Sequence, residues 1–293
     1  MCIVDSMYVM FNDEGDTINR RSSYANGTYI VVALMISEKM PMLNIVVPMA
    51  GAGSRFVAVG YSDPKPLITI HGVPMIRLVI ENLRPREKHR FIFICQQAHI
   101  LEYDLADKLN RWAPGCALVP LQNLTEGAAC TVLCAKSLID DEDELMIANS
   151  DQYVDVDINE YLNAMRERDL DGQIMTMTAN DPKWSFIGIS DRDRVSVVVE
   201  KVVISDEATT GIYNFRSGRD FVRAAESMIC EGLRVNGEFY VAPVYNQIVR
   251  GGREIGYFNV GSEGNGMYGL GTPADLDRFT ALDISRSAVA RLS

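Results

Sequence analysis

Ala50-Gly51-Ala52-Gly53-Ser54-Arg55 is followed, after eight residues, by Pro64-Lys65-Pro66-Leu67 and then by Gly72-Val73-Pro74-Met75-Ile76. Residues without bulk at Cβ let backbone N–H groups approach phosphate oxygens that a larger chain would hold off. Arg55 can grip a phosphate through its planar fork, and Lys65 can put a compact charge beside a phosphorus where negative charge builds up. Prolines on either side of Lys65 restrict its backbone. The chemistry this pattern fits is the binding and activation of a triphosphate. A dinucleotide fingerprint would need a third glycine where Phe56 stands, and a P-loop would need Gly-Lys-Ser/Thr after four residues; neither is present. A lone Gly-x-Gly is most often a plain tight turn, but here Ser-Arg and a proline-flanked lysine accompany it.

Asp151, in Leu145-Met-Ile-Ala-Asn149-Ser150-Asp151-Gln152, follows an apolar run of strand length. Ligands of open α/β sheets bind beyond such carboxyl ends, so a carboxylate there suits Mg²⁺, which would bridge phosphate oxygens. The structural alternative is a helix N-cap. Asp155-Val156-Asp157 is an Asp-x-Asp pair of the kind that holds metal in glycosyltransferases. We read it as a solvated turn, because the metal reading leaves Gly51–Leu67 unexplained.

From Gly51 to Ile76 the chain resembles, without a gap, the sugar nucleotidyltransferases, whose signature is Gly-x-Gly-Thr-Arg, a variable stretch, Pro-Lys-Pro-Leu and Gly-x-Pro-Met-Ile. Ser54 replaces the threonine. Weaker similarity extends to about residue 280. The resemblance implies that Ala50, Gly51, Ala52, Gly53, Ser54 and Arg55 bind the triphosphate and that Lys65 stabilises the transition state at the α-phosphorus. It also implies that Gln122 and Gly127 read the base, although Gly127 could simply start a helix with Gln122 exposed. Gly188 would contact sugar hydroxyls through its backbone, Glu200 would accept a hydroxyl, Lys201 would hold the acceptor phosphate, and Gly211 would belong to the strand beneath the sugar. A surface Glu-Lys dipeptide is the bland reading of 200–201. Where the family often has Trp-x-Asp-x-Gly-Thr, with a second metal ligand, this chain reads Met267-Tyr-Gly269-Leu-Gly-Thr272. Asp155 or Glu263 could replace that carboxylate, or Asp151 with waters could suffice.

The implied activity is transfer of a nucleoside monophosphate from an NTP to a phosphorylated small-molecule acceptor, a sugar 1-phosphate, by direct in-line displacement with release of pyrophosphate and with Mg²⁺ as cofactor. The implied setting is nucleotide-sugar synthesis for surface polysaccharide, and a homo-oligomer is compatible with it. The rivals are a glycosyltransferase using Asp155 and Asp157, and a nucleotide-binding regulatory protein without turnover, the latter prompted by Gly269.

Positioning these residues requires a sheet. Leu43–Met49 reads as a buried strand feeding the glycine loop, and strand-length apolar runs then alternate with helix-period stretches: Phe91–Cys95 and Ile100–Leu109, Ala117–Leu121 and Gly127–Leu138, Leu145–Asn149 and Ile158–Met165. Alternation of this kind indicates βαβ units and a mainly parallel sheet. Beyond residue 170, Ile174–Thr178, Phe186–Ile189, Val195–Val199 and Gly211–Phe215 add an antiparallel portion, before helices near Asp220–Cys230, Val241–Val249 and Pro273–Ser285. The expected fold is three-layer α/β, Rossmann-like, with a mixed sheet of the nucleotidyltransferase type. Residues 1–41 show no clear period and are expected to be an extension outside the core, with Met40 or Met42 as alternative starts; residues 42–293 are expected to form the catalytic domain.

At 293 residues with 47% hydrophobic and 23% charged composition, the chain can bury a full core. A net charge of −11 opposes non-specific binding to nucleic acid or an anionic membrane. No run approaches the roughly 18 apolar residues of a membrane span. Six cysteines lack a Cys-x-x-Cys pair and three histidines lie apart from them, which disfavours zinc and fits a reduced, cytoplasmic setting. Cys130 and Cys134 are expected to share a buried helix face.

Overall fold

The computed structural model describes residues 42–292 together with the backbone of residues 8–11, 17–25 and 28–34. The chain divides into two compact units, Met1–Pro41 and Met42–Ser293. In the first, β1 (Tyr8–Phe11), β2 (Thr17–Ala25) and β3 (Thr28–Leu34) pair antiparallel in that order. These strands run through a stretch read from sequence as lacking a period. The sequence signal for them is the Asn26-Gly27 dipeptide, a tight-hairpin favourite, ahead of the β-branched run in Thr28–Leu34.

The second unit is built on β4 (Leu43–Pro48), β5 (Thr69–Ile70), β6 (Val73–Pro74), β7 (His89–Gln96), β8 (Ala117–Leu121), β9 (Glu144–Ala148), β10 (Gln152–Val154), β11 (Gly172–Thr178), β12 (Ser185–Ile189), β13 (Val195–Glu200), β14 (Glu207–Phe215), β15 (Ile255–Glu263) and β16 (Gly266–Gly269). The main sheet runs β10-β16-β15-β11-β14-β9-β4-β7-β8, and the β12–β13 hairpin branches from β14. Strands β9, β4, β7 and β8 are parallel, whereas β14 opposes both β9 and β11. The expected parallel half with an antiparallel extension is therefore present.

Side chains alternate across this sheet as the pleat requires. Val46, Ile92, Ile94 and Ile147 face a core built with helices Ala128–Leu133, Gly218–Cys230 and Tyr245–Arg250. Ile45, Val47, Phe91, Phe93 and Met146 face the other, built with helices Met75–Leu83, Leu105–Trp112 and Ile158–Glu167. Both faces are covered, so the parallel strands read as continuous apolar runs.

Several helices are shorter than their periods imply. The stretch expected as one helix over Ile100–Leu109 breaks into Gln97–Glu102 and Leu105–Trp112, because Asp104 takes a left-handed conformation (φ 49°). Gly127–Leu138 divides into Ala128–Leu133 and Lys136–Ile139. The Val241–Val249 segment opens as a 3-10 turn, Ala242–Val244, where Pro243 removes a donor. In the last segment Pro273 does open a helix, Pro273–Thr280, whose N-cap Thr272 accepts from Asp275 N, but a second helix, Asp283–Ala290, follows a break. Cys134 corrects another expectation: the helix ends before it, and its thiol is exposed while Cys130 is half-buried. Burial, with Cys116 nearby, instead pushes the Cys95 thiol up to about 12. Among the described residues no helix is long and apolar enough to cross a membrane.

Candidate active site

A cavity of about 410 Å³ opens where β4 and β9 end, at the carboxyl edge of the parallel strands. Its wall is the run Pro48–Gly53, with Lys65, Leu121, Thr125, Gly127, Thr131 and Asp151 around it. The N–H of Met49 donates to Ile94 O and that of Phe56 to Gly53 O; between them, among the described residues, the loop's N–H groups have no protein acceptor. Gln96, at the end of the neighbouring β7, steadies the loop from the carbonyl side by donating from Nε2 to Ala50 O (2.9 Å). Gly53 is left-handed (φ 61°), which the turn requires. Gly51 is not left-handed, and a Cβ there would meet nothing within 4 Å. The fold therefore does not demand glycine at 51, whereas close approach of an anion to the backbone would.

Lys65 opens a 3-10 turn, Lys65–Leu67, between Pro64 and the buried Pro66. Its ammonium forms an ion pair with the Asp151 carboxylate, and both side chains remain about a quarter exposed to the cavity (22% and 24%). Beneath the pair lies a third core cluster, in which Phe56, Ile68, Ile70 and Met75 of the signature segment pack against Tyr153, Leu270, Leu276 and Phe279. The backbone around Asp151 is fixed from the same side, since Leu270 N donates to Asp151 O (2.8 Å). A Cβ on Gly271 would stand 2.9 Å from Asp151 Oδ2, so glycine keeps the space beside the carboxylate open.

That space suits a hard cation. Mg²⁺ commonly uses one or two carboxylates, keeps several waters and takes its remaining ligands from substrate phosphates. Among the described residues no cluster of three or more acids, histidines or cysteines could hold a metal by itself. Asp151 with the Gly271 cradle therefore fits an ion shared with a bound triphosphate.

A second cavity, of about 440 Å³, adjoins the first and shares Ala128, Asn149 and Glu238 with it. Arg55, Lys183, Lys201, Glu200, Trp184, Tyr240 and Gly211 line it. Asn149 N donates to Gly211 O (3.0 Å), and Gly211 is left-handed (φ 93°) with its missing Cβ 2.2 Å from Asn149 Nδ2 and 2.7 Å from Gln152 Oε1. The two amides thus occupy the volume a side chain would take. Glu200 is buried; burial pushes its carboxyl pKa up, against the Ser185 hydroxyl that donates to it and the charge of Lys201. Lys201 is held above its ordinary range chiefly by its hydrogen bond to Tyr240, against partial burial. One lobe is thus built from backbone donors, a lysine and a carboxylate; the other mixes cations, acids and hydroxyls, as a phosphorylated polyol would need.

The residues anticipated from sequence are distributed as follows. Ala50, Gly51, Ala52, Gly53, Lys65, Gly127 and Asp151 line the first lobe, and Glu200, Lys201 and Gly211 the second. Arg55, expected on the triphosphate, is exposed and lines the second lobe, next to the buried Phe56. Ser54, Gln122 and Gly188 line neither. Gln122 is exposed after β8, and Gly188 packs on β12 against Val197 and Ser196 of β13. Gly127 carries a duty unrelated to base reading: with φ 129°, its missing Cβ would stand 2.5 Å from both Phe239 N and Phe239 O.

Asp155 and Asp157 line a different cleft, beside Tyr153 and Arg291, and Asp157 caps the helix Ile158–Glu167. Glu263 is taken by Lys183 (2.9 Å). Neither Asp155 nor Glu263 lines the first lobe; the acid nearest to a Cβ on Gly269 is Asp275, 3.9 Å away at Oδ2. Sequence reading missed Gln96, Asn149, Glu238, Tyr240 and Gly271. Of these, Asn149 and Gly271 lay in segments already marked, the strand end before Asp151 and the Gly-Leu-Gly-Thr run.

Comparison with known proteins bears on the family and the fold. The protein resembles the bifunctional protein GlmU of Nitratidesulfovibrio vulgaris (strain DP4), at 26% identity over 257 residues, 83% of this chain and 53% of that one. It thus spans about half the length of that curated relative. Among solved structures, the nucleoside-diphosphate-sugar pyrophosphorylase from Vibrio cholerae RC9 superposes with a TM-score of 0.68 at 25% identity, covering 81% of this chain and 100% of the other. The inositol-1-phosphate CTP transferase from T. maritima shares the fold, with a TM-score of 0.66 at 16% identity over 85% and 96% of the two chains. A sequence model of the family described as nucleotidyl transferase matches residues 45–229, well over half of the chain. On that match and this site, the chain belongs to the nucleotidyl transferase family.

Proposed function

We propose that the protein joins a nucleoside triphosphate to a sugar 1-phosphate and releases pyrophosphate, with Mg²⁺ as cofactor. The observation that carries this reading is the Lys65–Asp151 pair, standing in a lobe of free backbone donors that opens onto a second, polyhydroxyl-suited lobe. The triphosphate lies along the 50–53 backbone, whose N–H groups hold its oxygens. Lys65 stabilises charge at the α-phosphorus as the bond to the acceptor oxygen forms and the bond to pyrophosphate breaks. Lys201 presents the acceptor phosphate, and Glu200 accepts a hydroxyl of the acceptor. Bound at Asp151, Mg²⁺ would supply charge neutralisation on the phosphates. No covalent enzyme intermediate is required; positioning and electrostatics carry the rate. Nucleotide-sugar supply for a surface polysaccharide is the role this activity would serve.

The test is incubation with Mg²⁺, each of CTP, UTP, dTTP, ATP and GTP, and a panel of phosphorylated acceptors that includes inositol phosphates, followed by pyrophosphate release and product mass. One productive pair is expected, silenced by Lys65→Ala. Hydrolysis or transfer of a preformed nucleotide sugar without pyrophosphate would favour a glycosyltransferase, and nucleotide binding without turnover would favour a regulatory protein.

A further inference from the structure

Lys201 is an unusual place to find a phosphate-holding lysine without support. Its backbone is left-handed (φ 57°), a conformation unfavourable for a non-glycine residue, and it is kept there by donation from Lys201 N to Trp184 O (3.0 Å). That fixes the stem's origin only. A four-carbon chain ending in a strongly hydrated charge still sweeps a wide arc.

Tyr240 closes that arc. Lys201 Nζ donates to Tyr240 Oη at 2.8 Å and stands 4.9 Å from the centre of the same ring, so one side chain supplies both a directed acceptor and a face that attracts the cation. Both residues line the acceptor lobe.

Tyr240 is in turn held by the nucleotide lobe. Its neighbour Phe239 donates from N to Glu126 O (2.9 Å) and accepts at O from Ala129 N (3.0 Å), two bonds that straddle Gly127. The close approach is possible because Gly127 has no Cβ. The same stretch, Thr125–Ala128, forms a wall of the first lobe, and Glu238 lines both lobes. A continuous path of short contacts therefore runs from the nucleotide wall through Phe239 and Tyr240 to the ammonium of Lys201.

We infer that Tyr240 is the positioning residue for Lys201, setting the acceptor phosphate at a fixed distance from the nucleotide through the splice of Phe239 onto Gly127. The inference rests on the reading that Lys201 holds the acceptor phosphate. It assigns Tyr240 no contact with the reacting atoms.

The test compares Tyr240→Phe with Lys201→Met in steady-state kinetics on the productive pair, with thermal unfolding of each. Tyr240→Phe keeps the ring and removes the oxygen. It is expected to raise the acceptor KM about tenfold, the scale of a lost hydrogen bond to a charged group, while the NTP KM and Tm stay as in the parent. Lys201→Met is expected to raise the acceptor KM further, and adding Tyr240→Phe to it should then change nothing more. An unchanged acceptor KM in Tyr240→Phe beside a raised one in Lys201→Met would overturn the role of Tyr240 while sparing that of Lys201. Equal rises in both KM values with a lowered Tm would reduce Tyr240 to a structural residue and overturn the inference as well. An unchanged acceptor KM in Lys201→Met would remove the reading on which it stands.

Discussion

Lys65 and Asp151, 86 residues apart in the chain, meet in an ion pair in the first lobe. The ammonium therefore occupies the carboxylate that a divalent cation would use. If Asp151 holds Mg²⁺ as proposed, metal and lysine would compete for it in the absence of a triphosphate. Lys65→Met should accordingly bind Mn²⁺ alone more tightly than the parent protein in calorimetry without nucleotide, and yet lose about 10²–10³-fold in turnover through the missing charge at the α-phosphorus. Weaker Mn²⁺ binding by this variant would show that Lys65 and the ion do not share the carboxylate.

Gly51 and Gly127 line the same lobe for different reasons, and alanine substitution separates them. At Gly51 the backbone is not left-handed and a methyl meets open space, so Gly51→Ala should keep stability within about 0.5 kcal/mol while raising the NTP KM about tenfold by holding phosphate off the N–H groups. At Gly127 a methyl meets Phe239 N and O at 2.5 Å on a left-handed backbone, so Gly127→Ala should lose about 2 kcal/mol or more. Urea midpoints together with NTP titrations read both effects. A destabilised Gly51→Ala would mean that the fold, not a ligand, requires that glycine.

The contrast explains how far the sequence could be read. Residues 50–76 are legible because the glycine loop, its lysine and the turn at His71-Gly72 lie close together in the chain, with left-handed glycines at 53 and 72 where the backbone turns. The sheet was legible because Ile45, Phe91 and Met146 lie on strands buried on both faces. Gln96, Asn149, Tyr240 and Gly271 were not legible, since each acts on a residue brought close only by the fold: Ala50, Gly211, Lys201 and Asp151 respectively. Nothing local in the sequence shows that Arg55 would line the second lobe. The break at Asp104 escaped for a related reason: a left-handed aspartate leaves no mark on the hydrophobic period.

Glu200 gives the acceptor lobe a pH signature. Burial raises its carboxyl pKa in the folded state, outweighing Ser185 and Lys201. Its ionisation therefore costs the folded protein nothing below the ordinary carboxylate range and a growing amount as pH rises through the raised value. Glu200→Gln should gain Tm relative to the parent at neutral pH and lose that advantage in acid. In kinetics, acceptor kcat/KM of the parent should begin to fall, on acidification, above the pH at which an ordinary glutamate protonates. The glutamine variant should start lower and lack that limb. Coincident acid limbs in the two proteins would assign the titration to another group.

Asp157 tests the Asp-x-Asp motif that a glycosyltransferase would use. Its carboxylate accepts from Asn159 N (2.9 Å) as N-cap of Ile158–Glu167, and it pairs with Arg86 (2.6 Å), in a cleft other than the nucleotide lobe. Hydrogen bonds from Asn159, with Arg86 adding to them, hold its pKa below the usual range, so its share of stability is present at neutral pH and is lost as pH falls through that depressed value. Asp157→Ala should cost about 1 kcal/mol, and Asp157→Asn much less, because asparagine caps as well as aspartate. Neither should alter pyrophosphate release, since neither touches the Lys65–Asp151 lobe. Loss of turnover in a fully folded Asp157→Asn would move the metal, and with it the reaction, to the other cleft.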